Sequence, residues 1–279
     1  MTIFRAACIQ LRSGVDVSSN IAEATRLIET AAADGAKLIA TPEMTGFMDI
    51  RRGQTREKAV SESQDEALKA FRALAAKIDA WLLVGSLAVA LEDEPRCANR
   101  SFLIAPSGDI AARYDKIHMF DVDVGDGQSY RESRAYRPGD KAVVADTPYG
   151  VLGLTVCYDL RFPTLYRALA AAGAQILTCP AAFTRVTGEA HWDALLRARA
   201  IETGSFMLAP AQGGRHEDGR ETYGHSRILS PWGEILAAAD DDEPGFIAAD
   251  IDLNAVEKAR TRIPSLTADQ PFTIQDLRA

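Results

Sequence analysis

Cysteine is scarce in this chain. Four occur in 279 residues, Cys8, Cys97, Cys157 and Cys179, with no CxxC pair and no metal-type spacing. That pattern excludes a disulfide scaffold and a structural zinc motif. Three of the four fall in or beside apolar, strand-like runs, which predicts a reducing, cytoplasmic setting. No apolar stretch is long enough to span a bilayer, and the opening MTIFRAACIQL lacks the apolar run of a signal peptide, so no membrane association is expected. Aromatics make up only 7% of the residues, no basic patch interleaves with them, and the net charge is −8. Nucleic acid is therefore not an expected partner. A Pro/Gly/Ser-rich linker, an internal repeat and a low-complexity segment are all missing, which predicts one domain over residues 1–279. What is abundant is apolar residues, at 47%, enough for a substantial core.

The periodicity predicts strands alternating with helices. Strands are expected at 3–11, 37–41 and 81–90, with a helix over 20–34 capped by Ser18 or Ser19 and a long helix over 61–80. Residues 92–96 read as a solvated turn, 99–105 and 109–114 as a hairpin, and 46–59 as a polar loop. Residues 117–141 have little periodicity, and a loop of that length inside a compact domain is usually functional. Strands at 143–146, 151–156, 175–179 and 206–211 follow, with helices at 163–172 and 189–203, a polar loop at 213–221, a hairpin around Pro231-Trp232-Gly233 and a last strand and helix at 246–262. Alternation with paired hairpins predicts an α/β (α+β) fold of mixed sheets with helices on their outer faces.

Three chemically useful residues share one context. Glu43, Lys116 and Cys157 each lie one or two residues beyond an apolar strand, and the crevice at strand carboxyl ends is where ligands bind in α/β folds. Cys157 sits between a strand and a helix that Pro163 can open, and a helix N-terminus would favour its thiolate. Taken one at a time, the plainer readings are a buried small hydrophobe for Cys157 and solvated charges for Glu43 and Lys116. Rival sites are a papain-like pairing of Cys157 with His118, His191, His216 or His225, and a zinc site from His216, His225 and Cys179. The first lacks an assignable orienting residue, and the second lacks ligand spacing. A non-catalytic binding protein is the rival of another class.

The segments TPEMTGF around Glu43, RYDKIHMFD around Lys116 and LTVCYDLRFP around Cys157 resemble, in that order, the three signature blocks of the nitrilase superfamily of carbon–nitrogen hydrolases. The similarity runs over nearly the whole chain. It implies a four-layer α-β-β-α sandwich, assembly into dimers or larger oligomers, and a Glu-Lys-Cys triad. Glu43 would take the thiol proton of Cys157 and pass it to the leaving group, with its pKa raised toward neutrality by a dry pocket. Lys116 and the Tyr158 N–H would hold the oxyanion. A second family glutamate matches Glu132 in YRESRAYRPG and would orient Lys116, although Asp121, Asp123 and Asp126 occupy the same loop. Neither a metal nor an organic cofactor is implied.

Beyond Cys157, the runs CPAAFTRVTGEAHWDALLRARAIET, PAQGGRHEDGRETYGHS and SPWGEIL resemble the branch of that family acting on deaminated glutathione, more than the ω-amidases that act on 2-oxoglutaramate. A small-molecule amide is the partner so implied. Its carboxylates suit an arginine at the pocket mouth, with Arg161, Arg185 and Arg215 as candidates. Phe183, Thr187, His191 and Trp192 are candidates for the pocket wall.

Overall fold

The computed structural model describes residues 3–51, 53–125, 129–268 and 270–278. The chain first lays down β1 (Ile3–Gln10), α1 (Val17–Ala33), β2 (Ala36–Ala40), α2 (Gln54–Lys58), α3 (Glu66–Ile78), β3 (Trp81–Leu91), β4 (Glu94–Ile104) and β5 (Ile110–Asp115). A small hairpin of β6 (Asp121–Asp123) and β7 (Ser129–Arg131) precedes β8 (Val143–Thr147), β9 (Gly150–Leu154), α4 (Pro163–Ala171), β10 (Ile176–Thr178), α5 (Arg185–Thr203) and β11 (Phe206–Ala209). A second small hairpin, β12 (Gly213–Arg215) and β13 (Glu221–Tyr223), leads to β14 (Arg227–Leu229), β15 (Ile235–Ala238), β16 (Gly245–Asp252) and α6 (Asn254–Arg262).

Two six-stranded mixed sheets result, ordered β16-β1-β2-β3-β4-β5 and β8-β9-β10-β11-β14-β15. Strand alternation shows how they stack. Phe4, Ala6 and Cys8 of β1 point to the second sheet and share a core with Leu152, Leu154 and Ile176. Ala7 and Ile9 point the other way, onto Leu27 and Ile28 of α1 and Phe71 and Leu74 of α3. On the far side, Leu165 and Leu169 of α4 and Trp192 and Leu196 of α5 cover the second sheet. The layering is α-β-β-α, as the resemblance implies.

Read in those orders, both sheets show one succession of pairings: antiparallel, two parallel, two antiparallel. The molecule thus holds an architectural repeat that no sequence periodicity announces. One trace survives, in that Thr41-Pro42 after β2 and Cys179-Pro180 after β10 occupy corresponding places.

Several local expectations change. Asp16 caps α1, its side chain accepting the Ser19 N–H at 2.8 Å, so the helix starts before Ser18 and Ser19 rather than at them. Asp65 caps α3 in the same way, so residues 61–65 stay outside it. β4 begins at Glu94, which folds most of the supposed 92–96 turn into a tight hairpin. The 46–59 segment is no plain polar loop, since Phe47 and Met48 are buried and α2 lies within it. Residues 117–141 include β6, β7 and a 3-10 turn at Glu132–Arg134, while Asp126 lies outside the described residues. Among the described residues no helix is long and apolar enough to cross a membrane.

Candidate active site

Glu43 follows β2 through Thr41-Pro42, and its backbone is clamped from three sides. The Thr41 N–H donates to Leu83 O at 2.9 Å, the Met44 N–H to Ser86 Oγ at 2.9 Å, and Gln212 Nε2 to Glu43 O at 2.9 Å. The turn runs so close to β3 that a Cβ on Gly85 would lie 2.1 Å from Thr41 O, so only glycine fits there. Met44 takes a positive φ of 57°, a strained conformation that the surrounding contacts hold.

Lys116 leaves β5 directly, its N–H donating to Asn99 O at 3.0 Å. The Nζ is 2.8 Å from Glu43 Oε1 and 2.9 and 2.8 Å from the two oxygens of Glu132. Glu132 is positioned by the 3-10 turn after β7, and its Oε2 also accepts the Phe120 N–H at 2.7 Å. Asn99 of β4 completes the cluster. Its Nδ2 donates to Glu43 Oε1 at 2.9 Å and to Glu132 Oε1 at 3.1 Å. Of the loop carboxylates weighed against Glu132, Asp121 receives the Ser133 N–H and Asp123 pairs with Arg131.

Cys157 follows β9 on a 3-10 turn, Cys157–Arg161, with a left-handed φ of 51°. Its N–H donates to Pro180 O at 2.9 Å. Asp159, fully buried, fastens this turn to the strand that carries Lys116. One oxygen accepts Val156 N–H at 2.8 Å and Tyr114 OH at 2.7 Å; the other accepts His118 N–H at 3.1 Å and lies 2.7 Å from His118 Nδ1. The buried Cys157 thiol and Glu43 shift each other's titration, and Glu43 Oε2 accepts the Ala182 N–H at 3.0 Å. The N–H of Tyr158, one residue on, meets no backbone acceptor among the described residues.

Electrostatics set the resting protonation. Burial pushes Glu43 up, but the Lys116 ammonium and the hydrogen bonds from Lys116, Cys157 and Asn99 outweigh it, leaving its carboxyl below the ordinary range. The expectation of a pKa raised toward neutrality is corrected accordingly. Burial also pushes Lys116 down, yet Glu132 and Glu43 hold it well above its usual value. Cys157 goes far up, first from burial and then from the Glu43 charge, against the pull of Lys116. The resting sulfur is a thiol. The helix N-terminus expected to favour thiolate belongs to α4, which starts only at Pro163.

The cluster opens into a cavity of about 960 Å³ whose lining includes Glu43, Lys116, Glu132, Cys157 and Tyr158. Of the expected wall residues, Phe183 and Thr187 line it. Arg161, His191, Trp192 and Arg215 do not. Trp192 is core behind Phe183, its Nε1 donating to His225 O at 2.9 Å. Arg161 lies over the Tyr158 and Phe183 rings with one nitrogen 3.2 Å from His191 Nδ1, so both back the wall instead of facing the cavity. Arg215 is exposed on β12, and Arg185 is held in ion pairs by Glu189, Glu221 and Asp242.

The rival pairings find no geometry. Glu43 and Lys116 act on the Cys157 thiol, and no histidine among the described residues does. His216 is fixed between Ser13 O and Thr222, and His225 stacks on Tyr223. Among the described residues no group of three or more His, Cys, Asp or Glu could hold a metal ion. Two members of the cluster carried no sequence signal of their own. Asn99 reads as an ordinary strand residue, and Asp159 stands out only in hindsight, as an acid two residues past the cysteine turn.

A four-layer sandwich with a thiol, a carboxylate and an ammonium buried against one cavity defines a hydrolase class. The chain belongs to the carbon–nitrogen hydrolase family, whose model matches residues 5–261, and acts on carbon–nitrogen bonds other than peptide bonds. It is 42% identical over 262 residues to a deaminated glutathione amidase of Yersinia enterocolitica, covering 93% of this chain and 91% of that one. The crystal structure of the C. elegans NitFhit protein superposes with a TM-score of 0.90 at 33% identity, over 96% of this chain and 65% of that chain. An amidase from Nesterenkonia sp. AN1, with acrylamide added to its active-site cysteine, gives a TM-score of 0.78 at 27% identity, over 94% of this chain and 98% of that chain.

Proposed function

We propose that the protein is an amidase that cleaves deaminated glutathione to 2-oxoglutarate and cysteinylglycine, with Cys157 as nucleophile. The observation that carries this reading is the meeting of buried Cys157, Glu43 and Lys116 on one cavity, with the Lys116 Nζ 2.8 Å from Glu43 Oε1. A thiol with a raised pKa is a poor nucleophile until its proton is taken, and Glu43 is placed to take it. As sulfur attacks the amide carbon, the proton passes to Glu43, and the carbonyl oxygen becomes an oxyanion facing Lys116 and the Tyr158 N–H. Glu43 then delivers that proton to the departing nitrogen, the carbon–nitrogen bond breaks, and a thioester remains on Cys157. Glu43 next deprotonates water, which attacks the thioester and releases the carboxylate and the thiol. Glu132 anchors Lys116 throughout, its two oxygens holding the ammonium in place.

The relative from Yersinia enterocolitica supports the substrate by its name. The cavity volume supports it by size, leaving room for a dipeptide leaving group. The four cysteines are all free and buried, which suits a reducing compartment such as the cytoplasm. We further propose a homodimer, supported by exposed Val186 and Ile201 on α5 and by an exposed apolar tail of Phe272, Ile274 and Leu277.

The test compares kcat/KM for deaminated glutathione and for 2-oxoglutaramate, with mass spectrometry of the protein quenched early in turnover. The expected outcome is preference for the first and an acyl adduct on Cys157, absent in Cys157→Ala. A wide preference for 2-oxoglutaramate overturns the substrate; an adduct on another cysteine overturns the nucleophile.

A further inference from the structure

The cavity wall is cationic in a protein that is acidic as a whole. Six cationic side chains line it, those of Arg51, Arg56, Lys116, Arg131, Arg134 and Arg220, against the carboxylates of Glu43, Asp49 and Glu132, while the whole chain carries −8. Most of these charges are already engaged. Lys116 holds both glutamates, Arg51 forks onto Asp49 at 2.8 and 2.7 Å, and Arg131 pairs with Asp123 at 2.8 Å. Arg56 pulls the Cys97 thiol down against its burial. Arg220 differs. Its Nε is buried without a hydrogen-bond partner, and its guanidinium makes no ion pair among the described residues. A buried cationic donor left unsatisfied in a cavity wall is a site for an acceptor that arrives from outside.

The backbone beneath Arg220 is bolted down. It sits at the tip between β12 and β13, where the His216 N–H donates to Arg220 O at 2.8 Å and the Arg220 N–H to Asp218 Oδ1 at 2.9 Å. Buried His216 places Nδ1 2.9 Å from Ser13 O and Nε2 2.7 Å from Thr222 Oγ1. Glu217 accepts the Val15 N–H at 3.0 Å and Asp218 the Ile50 N–H at 2.9 Å, so the tip is tied to two neighbouring loops. A guanidinium on such a support loses little freedom when it binds, and its planar fork matches a carboxylate.

We propose that Arg220 is the anion anchor of the cavity, binding a carboxylate of the substrate while the amide lies at Cys157. This rests on the amidase reading above and adds the residue that selects an anionic substrate. Arg134, on the same wall and without an ion pair among the described residues, adds to the attractive field. The arginines expected from sequence, Arg161 and Arg215, do not line this cavity.

The experiment uses Arg220→Gln and Arg220→Lys in the full chain, with thermal unfolding to confirm that both fold. Deaminated glutathione is compared with valeramide, an amide with no carboxylate, and glutarate binding is followed by calorimetry. In Arg220→Gln, KM for deaminated glutathione is expected to rise about tenfold or more with kcat little changed, as loss of a charge-assisted hydrogen bond implies. Activity on valeramide stays within about twofold, glutarate binds about tenfold more weakly, and Arg220→Lys recovers part of both losses. Equal losses on both amides overturn the proposal. So does glutarate binding that is undetectable in the wild type or unchanged in Arg220→Gln. The two readings separate cleanly. A wild type that cleaves neither amide yet binds glutarate through Arg220 sinks the amidase and keeps the anchor. A wild type active on deaminated glutathione, with Arg220→Gln unaltered, does the reverse.

Discussion

Asn99 presents one amide group to two buried carboxylates. Its Nδ2 is shared between Glu43 and Glu132, and its Oδ1 is buried with no hydrogen-bond partner. The amide is therefore aimed by what it donates, at the cost of an unsatisfied acceptor. Asn99→Ala removes a donor that helps hold the Glu43 pKa down. We expect a stability loss of about 1–3 kcal/mol in urea denaturation. The acid limb of kcat/KM should also move to higher pH, because Glu43 then protonates more readily. An unmoved acid limb would show that Asn99 only fills space. The signs for the rest of the cluster follow from the shifts. The Glu43 carboxyl is lowered, so the stability it contributes is present above the ordinary carboxylate range and is lost as pH falls through its folded value. Lys116 is raised, so its contribution holds below the ordinary lysine range and is lost as pH rises through its folded value. Stability from this pair should be level across neutral pH, read as denaturation midpoints from about pH 5 to 9.

At the scale of elements, the site depends on strands that end at the right height and on turns that touch. β2 delivers Glu43, β5 delivers Lys116 and β9 delivers Cys157, and Gly85 lets the first of these turns lie against β3. Gly85→Ala puts a methyl carbon into Thr41 O and Pro42 O, both backbone atoms that cannot step aside. The variant is expected to lose about 1–3 kcal/mol of stability and to lose kcat with it, as Glu43 is pushed from the thiol. Gly245→Ala, where an added Cβ meets nothing within 4 Å, is the control and should stay within about 0.5 kcal/mol of the wild type. Asp159 serves the same level of organisation. Through Val156, Tyr114 and His118 it locks the cysteine turn to the lysine strand, so the spacing of two catalytic candidates is set by a residue that touches neither cavity nor reacting atom.

For the whole molecule, the two sheets repeat one pairing pattern and bury their inner faces against each other, which leaves α5 and the tail to outside contacts. Val186, Ile201, Phe272, Ile274 and Leu277 are exposed apolar groups in the single chain. A homodimer should be seen by light scattering at micromolar concentration. Removing residues 265–279 or introducing Ile201→Glu should shift it toward monomer, and a monomer at every concentration would refute the assembly.

The sequence by itself determined which residues stand just past strand ends, and hence that Glu43, Lys116 and Cys157 could meet, because strand ends and turn residues are written in local patterns of apolar runs, proline and glycine. Family resemblance supplied Glu132 and the layering on top of that. Only the tertiary structure decided the protonation of the cluster, since the pKa of a buried acid is fixed by neighbours such as Lys116, 73 positions away in the chain. It decided likewise that Asn99 bridges the glutamates and that Arg220, not Arg161 or Arg215, faces the cavity. Such choices depend on where long-range contacts point a side chain, and that direction exists only once the sheets have stacked.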